Sequence, residues 1–225
     1  MNKKLIIWDF DGVVADTEKL WLDVELSVFN RYCGLNWDFK TINYYLAGQA
    51  FSHQLEVLAG LGIFPPKEAM TEIYEKCYAL IESGFERTKD IDDVLALTAY
   101  DHAMGTGGDI NETILKIRAV GLQDVFTPEN VVTIDFVKHG KPAPDTFLLA
   151  AEIMGYKPQD CYVVEDSIAG LKAAISAEMT PVCFAGSVMY KDNEEHLKAV
   201  RALGVNNIFF SMKEVCNYFR QRAKL

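Results

Sequence analysis

The sequence predicts an α/β protein with a doubly wound parallel sheet and a helical subdomain inserted after the first strand. Three observations favour this class. Short apolar runs alternate with helical segments from about residue 90 to residue 184. A helical pattern without a convincing strand fills residues 16–89, which is long for a simple crossover. Acidic or glycine-rich segments follow the apolar runs, and ligands bind at that edge of such sheets.

The first element is a buried strand at 4–8, because a short apolar run there stops at acidic residues and a glycine. In the helical block, Gly34 is placed to close the first helix and Pro66 to begin a later one that ends near Ser83. The remaining pattern predicts helices at 94–100, 109–120, 144–155 and 170–177, and strands at 102–106, 131–134, 161–164 and 180–184.

Composition excludes several classes of function. The chain has 225 residues, half of them hydrophobic, and 32 acidic against 22 basic residues give a net charge of −10. That charge weighs against non-specific binding to nucleic acid or to an anionic membrane. No apolar run approaches the roughly 20 residues that span a bilayer. The five cysteines are scattered and never in C-x-x-C spacing, so we expect reduced thiols and a cytoplasmic location.

Two strands are predicted to end in acidic residues. Asp9 and Asp11 follow the strand at 4–8, and Glu165 and Asp166 follow the strand at 161–164. Carboxylates directly after a buried strand are costly unless a positive group meets them, and a bound cation is one answer. Turn formation and helix capping are the alternative interpretation for both pairs.

Two further segments suit phosphate binding. Thr106 and Gly107 end a strand just before the helix that begins near Asp109, which places a hydroxyl and glycine amides at a helix N-terminus. Lys141 lies in a Gly-Lys-Pro-Ala-Pro-Asp segment. A plain glycine-rich loop and a solvated lysine are the alternatives for each segment alone. Because all four segments fall at one predicted sheet edge, their coincidence favours a functional site there over four unrelated structural features.

With these motifs the chain resembles the haloacid dehalogenase superfamily, in the helical-cap branch of phosphoglycolate phosphatase and β-phosphoglucomutase-type proteins. The pairs Asp9/Asp11 and Glu165/Asp166, with Thr106 and Lys141 between them, stand in the order of its four motifs. The resemblance implies a Rossmann-like α/β core formed by residues 1–15 and 90–225, and a cap formed by residues 16–89. Glu178 departs from the pattern, since relatives commonly have glycine there.

The resemblance also implies a chemistry, which is a Mg²⁺-dependent phosphatase that acts on a small phosphorylated metabolite such as a sugar phosphate. Asp9 would be the nucleophile that forms an aspartyl-phosphate, and Asp11 the general acid and then the base. Thr106, the Gly107 amide and Lys141 would bind the phosphoryl oxygens. The expected Mg²⁺ ligands are Asp9, the Asp11 carbonyl and Asp166, with Glu165 assisting.

Further expectations concern the cap, the partners and the type of reaction. Related proteins carry a substrate-facing cap loop near these positions, so the resemblance implies that Gln49 or His53 contacts the substrate, with exposed helix polarity as the alternative interpretation. The protein is expected to be a monomer, with an oligomer as the alternative, and to have no nucleic-acid or membrane partner. A phosphosugar mutase of the β-phosphoglucomutase type and a non-catalytic phosphate-binding module are the two alternatives to a phosphatase. The intact Asp9, Asp11, Lys141 and Asp166 argue against the second of these.

Overall fold

A parallel sheet of six strands forms the centre of the computed structural model, which describes residues 3–223. In spatial order these strands are β3-β2-β1-β4-β5-β6, and every neighbouring pair is parallel. The direction of winding reverses between β1 and β4, so a crevice opens beyond their carboxyl ends. The predicted doubly wound class is confirmed. The strands are β1 (Lys4–Trp8), β2 (Tyr100–Gly105), β3 (Val131–Val132), β4 (Cys161–Glu165), β5 (Thr180–Phe184) and β6 (Ile208–Phe209).

Helices lie on both faces of the sheet, and a separate group follows β1. No helix among residues 3–223 has the length and apolarity needed to cross a membrane. The helices are α1 (Glu18–Cys33), α2 (Phe39–Leu46), α3 (Phe51–Gly60), α4 (Lys67–Ser83), α5 (Ile91–Leu95), α6 (Ile110–Ala119), α7 (Asp145–Met154), α8 (Ile168–Ser176), α9 (Glu194–Ala202) and α10 (Met212–Arg222).

Strand β1 is apolar on both faces because each face meets a layer of helices. Ile6 and Trp8 point into a cluster with residues of α5, α6 and α10. Leu5 and Ile7 point to the opposite side, where Phe147 of α7 belongs to a second cluster. All four strand residues are fully buried. This two-sided burial fixes the end of β1, and with it the direction in which the following carboxylates emerge.

Helices α1 to α4 pack around a cluster of their own, which includes Leu22, Phe29 and Leu46. The group joins the sheet through paired backbone segments, since the Thr88 amide donates to the Val14 carbonyl at 2.8 Å. No strand interrupts the helices between α1 and α4, as the sequence predicted. That residues 16–89 act as a cap stays a prediction.

The structure corrects the sequence-based prediction at a few elements. The predicted helix at 94–100 is wrong from residue 96 onwards, since α5 ends at Leu95 and β2 already begins at Tyr100. Tyr100 pairs with Lys4 of β1, and its buried hydroxyl donates to the Phe219 carbonyl at 3.0 Å. The strand predicted at 131–134 stops at Val132, because a 3₁₀ turn follows. The elements α9, β6 and α10 were not predicted.

Candidate active site

The four predicted motifs converge beyond the carboxyl ends of β1, β2 and β4. Asp9, Asp11, Thr106, Gly107 and Lys141 all line one cavity of about 440 Å³, which lies between the sheet edge and helices α1, α3 and α4. The convergence follows from parallel strands, whose carboxyl ends meet at one edge. Glu165 and Asp166 lie buried directly beneath this group.

Lys141 connects the first and the last motif. Its Nζ donates to Asp9 Oδ1 at 2.7 Å and to Glu165 Oε1 at 2.8 Å, and all three side chains are buried. The second oxygen of Glu165 accepts the Ser167 amide at 2.6 Å. Glu165 is therefore held at both oxygens and fixes the position of Lys141. Burial raises the pKa of Asp9 to about 7, with Lys141 opposing the shift and Glu165 adding to it.

Three carboxylates lie close enough to share a cation. Oxygens of Asp9, Glu165 and Asp166 lie within 4.8 Å of one another. Burial, together with Glu165 and Asp9, raises the pKa of Asp166 well above its usual range. Asp166 Oδ2 is buried without a hydrogen-bond partner. An orphaned carboxylate oxygen in an all-oxygen donor set fits a hard divalent cation.

A glycine makes room for this cluster. Gly12 has φ +79°, and a Cβ at that position would collide with the Asp166 carboxylate. A side chain at position 12 would displace the Asp166 carboxylate, whose Oδ2 has no hydrogen-bond partner. The turn after β1 therefore needs a residue without a side chain at this position. The residues present therefore fit a divalent cation, with Asp9 and Asp166 better placed as ligands than Glu165.

Asp11 is surrounded by donors that the sequence did not reveal. Thr17 Oγ1 and Trp21 Nε1 both donate to its Oδ1 at 2.5 Å. Lys116 Nζ donates to Oδ1 at 3.0 Å and to Oδ2 at 2.9 Å. Burial alone would raise the pKa of Asp11, but Lys116 and the other donors outweigh it, so the pKa is lowered. In this arrangement Asp11 is an ionised carboxylate, and it has to leave these donors before it can deliver a proton.

Lys116 also pairs with Glu112 one turn earlier on α6, at 2.5 Å, and its side chain is almost completely buried. The only sequence signal was a lysine among the buried positions of that helix, beside Thr113 and Ile117. Nothing in the local pattern indicates that its partner lies 105 residues earlier in the chain.

The segment between α2 and α3 closes over the sheet edge. Gly48 has φ +70°, and a Cβ there would lie 2.6 Å from Ser167 Cβ. Its amide donates to Glu18 Oε1 at 2.7 Å. A Cβ on Gly107 would lie 3.6 Å from the Ala50 amide nitrogen. These close backbone approaches bring the helical group directly against the side of the cavity that Gly107 and Ser167 form.

The two predicted cap residues are placed differently. Gln49 lines the cavity, where its Nε2 donates to the Tyr45 carbonyl at 3.0 Å and its Oε1 is buried without a partner. His53 is exposed, pairs with Glu56 at 2.9 Å and does not line the cavity. The placement is consistent with a substrate contact for Gln49 and gives no support for one at His53.

The fold and the placement of the motifs define a doubly wound α/β protein that gathers acidic residues, a threonine and a lysine at the carboxyl edge of its parallel sheet. A family model described as haloacid dehalogenase-like hydrolase matches residues 3–178. The chain belongs to this family, which confirms the resemblance found in the motifs.

Several curated relatives are phosphatases by name. The chain is 32% identical over 180 residues to fructose-1-phosphate phosphatase YqaB of Escherichia coli, covering 79% of this chain and 94% of that protein. It is 40% identical over 190 residues to hexitol phosphatase A of Escherichia coli, covering 79% and 81%. It is 44% identical over 220 residues to a probable pseudouridine-5'-phosphatase of Drosophila melanogaster, covering 87% of each.

Solved structures agree on the fold. A haloacid dehalogenase-like protein of unknown function from Agrobacterium tumefaciens superposes with a TM-score of 0.81 at 21% identity, covering 98% of this chain and 99% of that one. The likeness extends beyond residue 178, so it includes the elements α9, β6 and α10 that the sequence had not predicted.

Proposed function

We propose that this protein is a phosphatase that hydrolyses a monophosphate ester of a small, hydroxyl-rich metabolite such as a sugar, through an aspartyl-phosphate at Asp9. The observation that carries the proposal is Asp9 itself. It lies at the end of β1 and accepts a hydrogen bond from Lys141 Nζ at 2.7 Å. It faces the cavity beside the orphaned oxygen of Asp166.

In the first step, an Asp9 carboxylate oxygen forms a bond to phosphorus while the bond from phosphorus to the leaving oxygen breaks. Once released from its donors, Asp11 takes up a proton from water and gives it to that leaving oxygen. In the second step a water oxygen bonds to phosphorus while the bond from the Asp9 oxygen to phosphorus breaks, and Asp11 takes the proton from that water. Because Asp11 is held by Lys116, Thr17 and Trp21 in this structure, substrate entry has to release its carboxylate first.

Binding of the phosphoryl oxygens falls to groups at the other strand ends. Thr106 and Gly107 lie at the end of β2, and Lys141 reaches the same space from the segment before α7. Asp9, Asp166 and the Asp11 carbonyl would hold a divalent cation such as Mg²⁺, with Glu165 positioning Lys141. When bound, this ion neutralises phosphate charge and lets an anionic nucleophile approach.

The relatives support the substrate class. Fructose, a hexitol and pseudouridine, which the names of three relatives give as their leaving groups, are all small, uncharged and rich in hydroxyls. We also propose that the protein works as a monomer in the cytoplasm, in keeping with five free cysteines among the described residues.

The test is phosphate release from sorbitol 6-phosphate, fructose 1-phosphate and p-nitrophenyl phosphate with Mg²⁺, with Asp9→Asn as the blank. We expect release that disappears in the variant and after exhaustive chelation. Activity that survives chelation would contradict the cation requirement. Isomerisation of a sugar phosphate without phosphate release would instead identify a mutase.

A further inference from the structure

The cavity extends beyond the phosphate-binding side to a wall formed by α1, α3 and the segment before α3. Glu25 and Gln54 line this wall, each only 5% exposed. Glu25 Oε2 and Gln54 Oε1 are buried without a hydrogen-bond partner, and so is Gln49 Oε1. Gln54 is held in this orientation because its Nε2 donates to the Leu46 carbonyl at 3.1 Å. Three unpaired acceptors on one cavity wall call for a ligand that donates hydrogen bonds.

The charge of the lining restricts the ligand further. Two lysines line the cavity, and both are engaged, Lys141 by Asp9 and Glu165 and Lys116 by Asp11 and Glu112. Among the described residues that line the cavity there is no arginine. A second phosphate or a carboxylate on the leaving group would therefore be buried against carboxylates without a free cation, which is strongly unfavourable.

The chemistry of Glu25 favours hydroxyls among the possible donors. Burial, and then the neighbouring Glu18 and Glu112, raise the pKa of Glu25 well above its usual range. A neutral carboxyl both donates and accepts, and a hydroxyl group complements it in both directions. Apolar side chains of Leu22, Leu55 and Phe51 line the same cavity and suit the C–H surface of a polyol.

We propose that Glu25, Gln49 and Gln54 form a leaving-group subsite, which selects monophosphates of uncharged polyhydroxy compounds over those that carry a second anionic group. The proposal rests on the proposed phosphatase function and adds to it the residues that set specificity.

The first experiment compares matched substrates of the wild-type protein. Sorbitol 6-phosphate and 6-phosphogluconate differ at C1, where a hydroxymethyl group is replaced by a carboxylate. We expect kcat/KM to be at least about tenfold higher for sorbitol 6-phosphate, because burying one unpaired charge costs more free energy than a tenfold difference represents. Equal values for the pair would overturn the proposal. A strong preference for glucosamine 6-phosphate over glucose 6-phosphate would overturn the proposed selection for an uncharged leaving group.

The second experiment assigns the preference to the subsite. Glu25→Met keeps the volume and removes the acceptor, so kcat/KM for sorbitol 6-phosphate relative to p-nitrophenyl phosphate should fall about 10- to 100-fold. The same substitution at the exposed Glu68 of α4 is the control and should leave this ratio unchanged. If Glu25→Met does not fold, Glu25→Gln keeps the shape, and we expect a fall of about three- to tenfold. An unchanged ratio in the variant that folds overturns the proposal.

Failure of the phosphatase proposal would be visible separately, because p-nitrophenyl phosphate needs no polar leaving-group contact. If no phosphomonoester is hydrolysed, titration calorimetry of the same protein with sorbitol 6-phosphate and 6-phosphogluconate tests the subsite alone. Tighter binding of sorbitol 6-phosphate, weakened by the change at Glu25, supports it, and indistinguishable binding of the two overturns it.

Discussion

Lys116 offers a test of the electrostatics around Asp11. In Lys116→Met, the partly buried carboxylates of Asp11 and Glu112 lose a buried cation that lies 2.9 Å and 2.5 Å from them. Removing one partner of a buried ion pair typically costs about 3–5 kcal/mol, because the remaining charge stays buried and unpaired. For a chain of this size, each kcal/mol lowers the melting temperature by about 2–4 °C, so we expect a drop of about 6–20 °C.

The measurement is urea and thermal unfolding at pH 7, with the exposed Lys213→Met as a control that should change stability by less than about 0.5 kcal/mol. A triple variant, Lys116→Met with Asp11→Asn and Glu112→Gln, removes all three charges and should recover most of the loss. A loss below about 1 kcal/mol in the single variant, or a triple variant no more stable than it, would refute the reasoning.

Three further predictions concern catalysis, backbone strain and pH. Asp11→Asn should slow phosphoryl transfer from sorbitol 6-phosphate about 10²–10⁴-fold in single-turnover kinetics, and far less from p-nitrophenyl phosphate, whose leaving group needs no proton; equal slowing would contradict the acid role. Glu178 has φ +58°, a conformation that glycine adopts without a steric penalty. Glu178→Gly should therefore raise the unfolding free energy by about 0.5–1 kcal/mol in urea, and a lower value would count against strain there. Burial lowers the pKa of His102 to about 4, and its Nδ1 accepts the Trp8 indole N–H at 3.1 Å. The unfolded state then binds more protons between about pH 6.5 and 4, so stability should fall by up to about 3 kcal/mol as pH drops through that window, and His102→Gln should flatten this slope.

The candidate site was predictable from the sequence to the extent that it depends on strand ends. Asp9 and Asp11 directly follow an apolar run, and Glu165 and Asp166 stand at the end of another. Burial of such runs on both faces fixes where each strand stops, and parallel pairing brings the stops to one edge. Lys141 needed the family pattern as well, because a lysine before α7 has no local signal of burial.

The local sequence pattern was insufficient to predict secondary structure where pairing with distant residues determines it. Tyr100 extends a helical pattern in the sequence, but its place beside Lys4 in β2 is set by an edge-to-edge contact across 96 residues. Residues after 184 gave no clear prediction, since β6 is two residues long and is stabilised by its partner β5. Short strands carry too few alternating positions to be read without their neighbours.

The sequence by itself therefore determined the class of fold and the acidic residues at the strand ends, because these follow from burial of continuous apolar runs, and its motifs indicated the family. Only the tertiary structure decided what surrounds them. It placed Lys116 of α6 within hydrogen-bond distance of Asp11, and it brought the unpaired acceptors of Glu25 and Gln54 to one cavity. Such contacts join helices that are far apart in the chain, and a helical pattern marks a buried face without naming its partner.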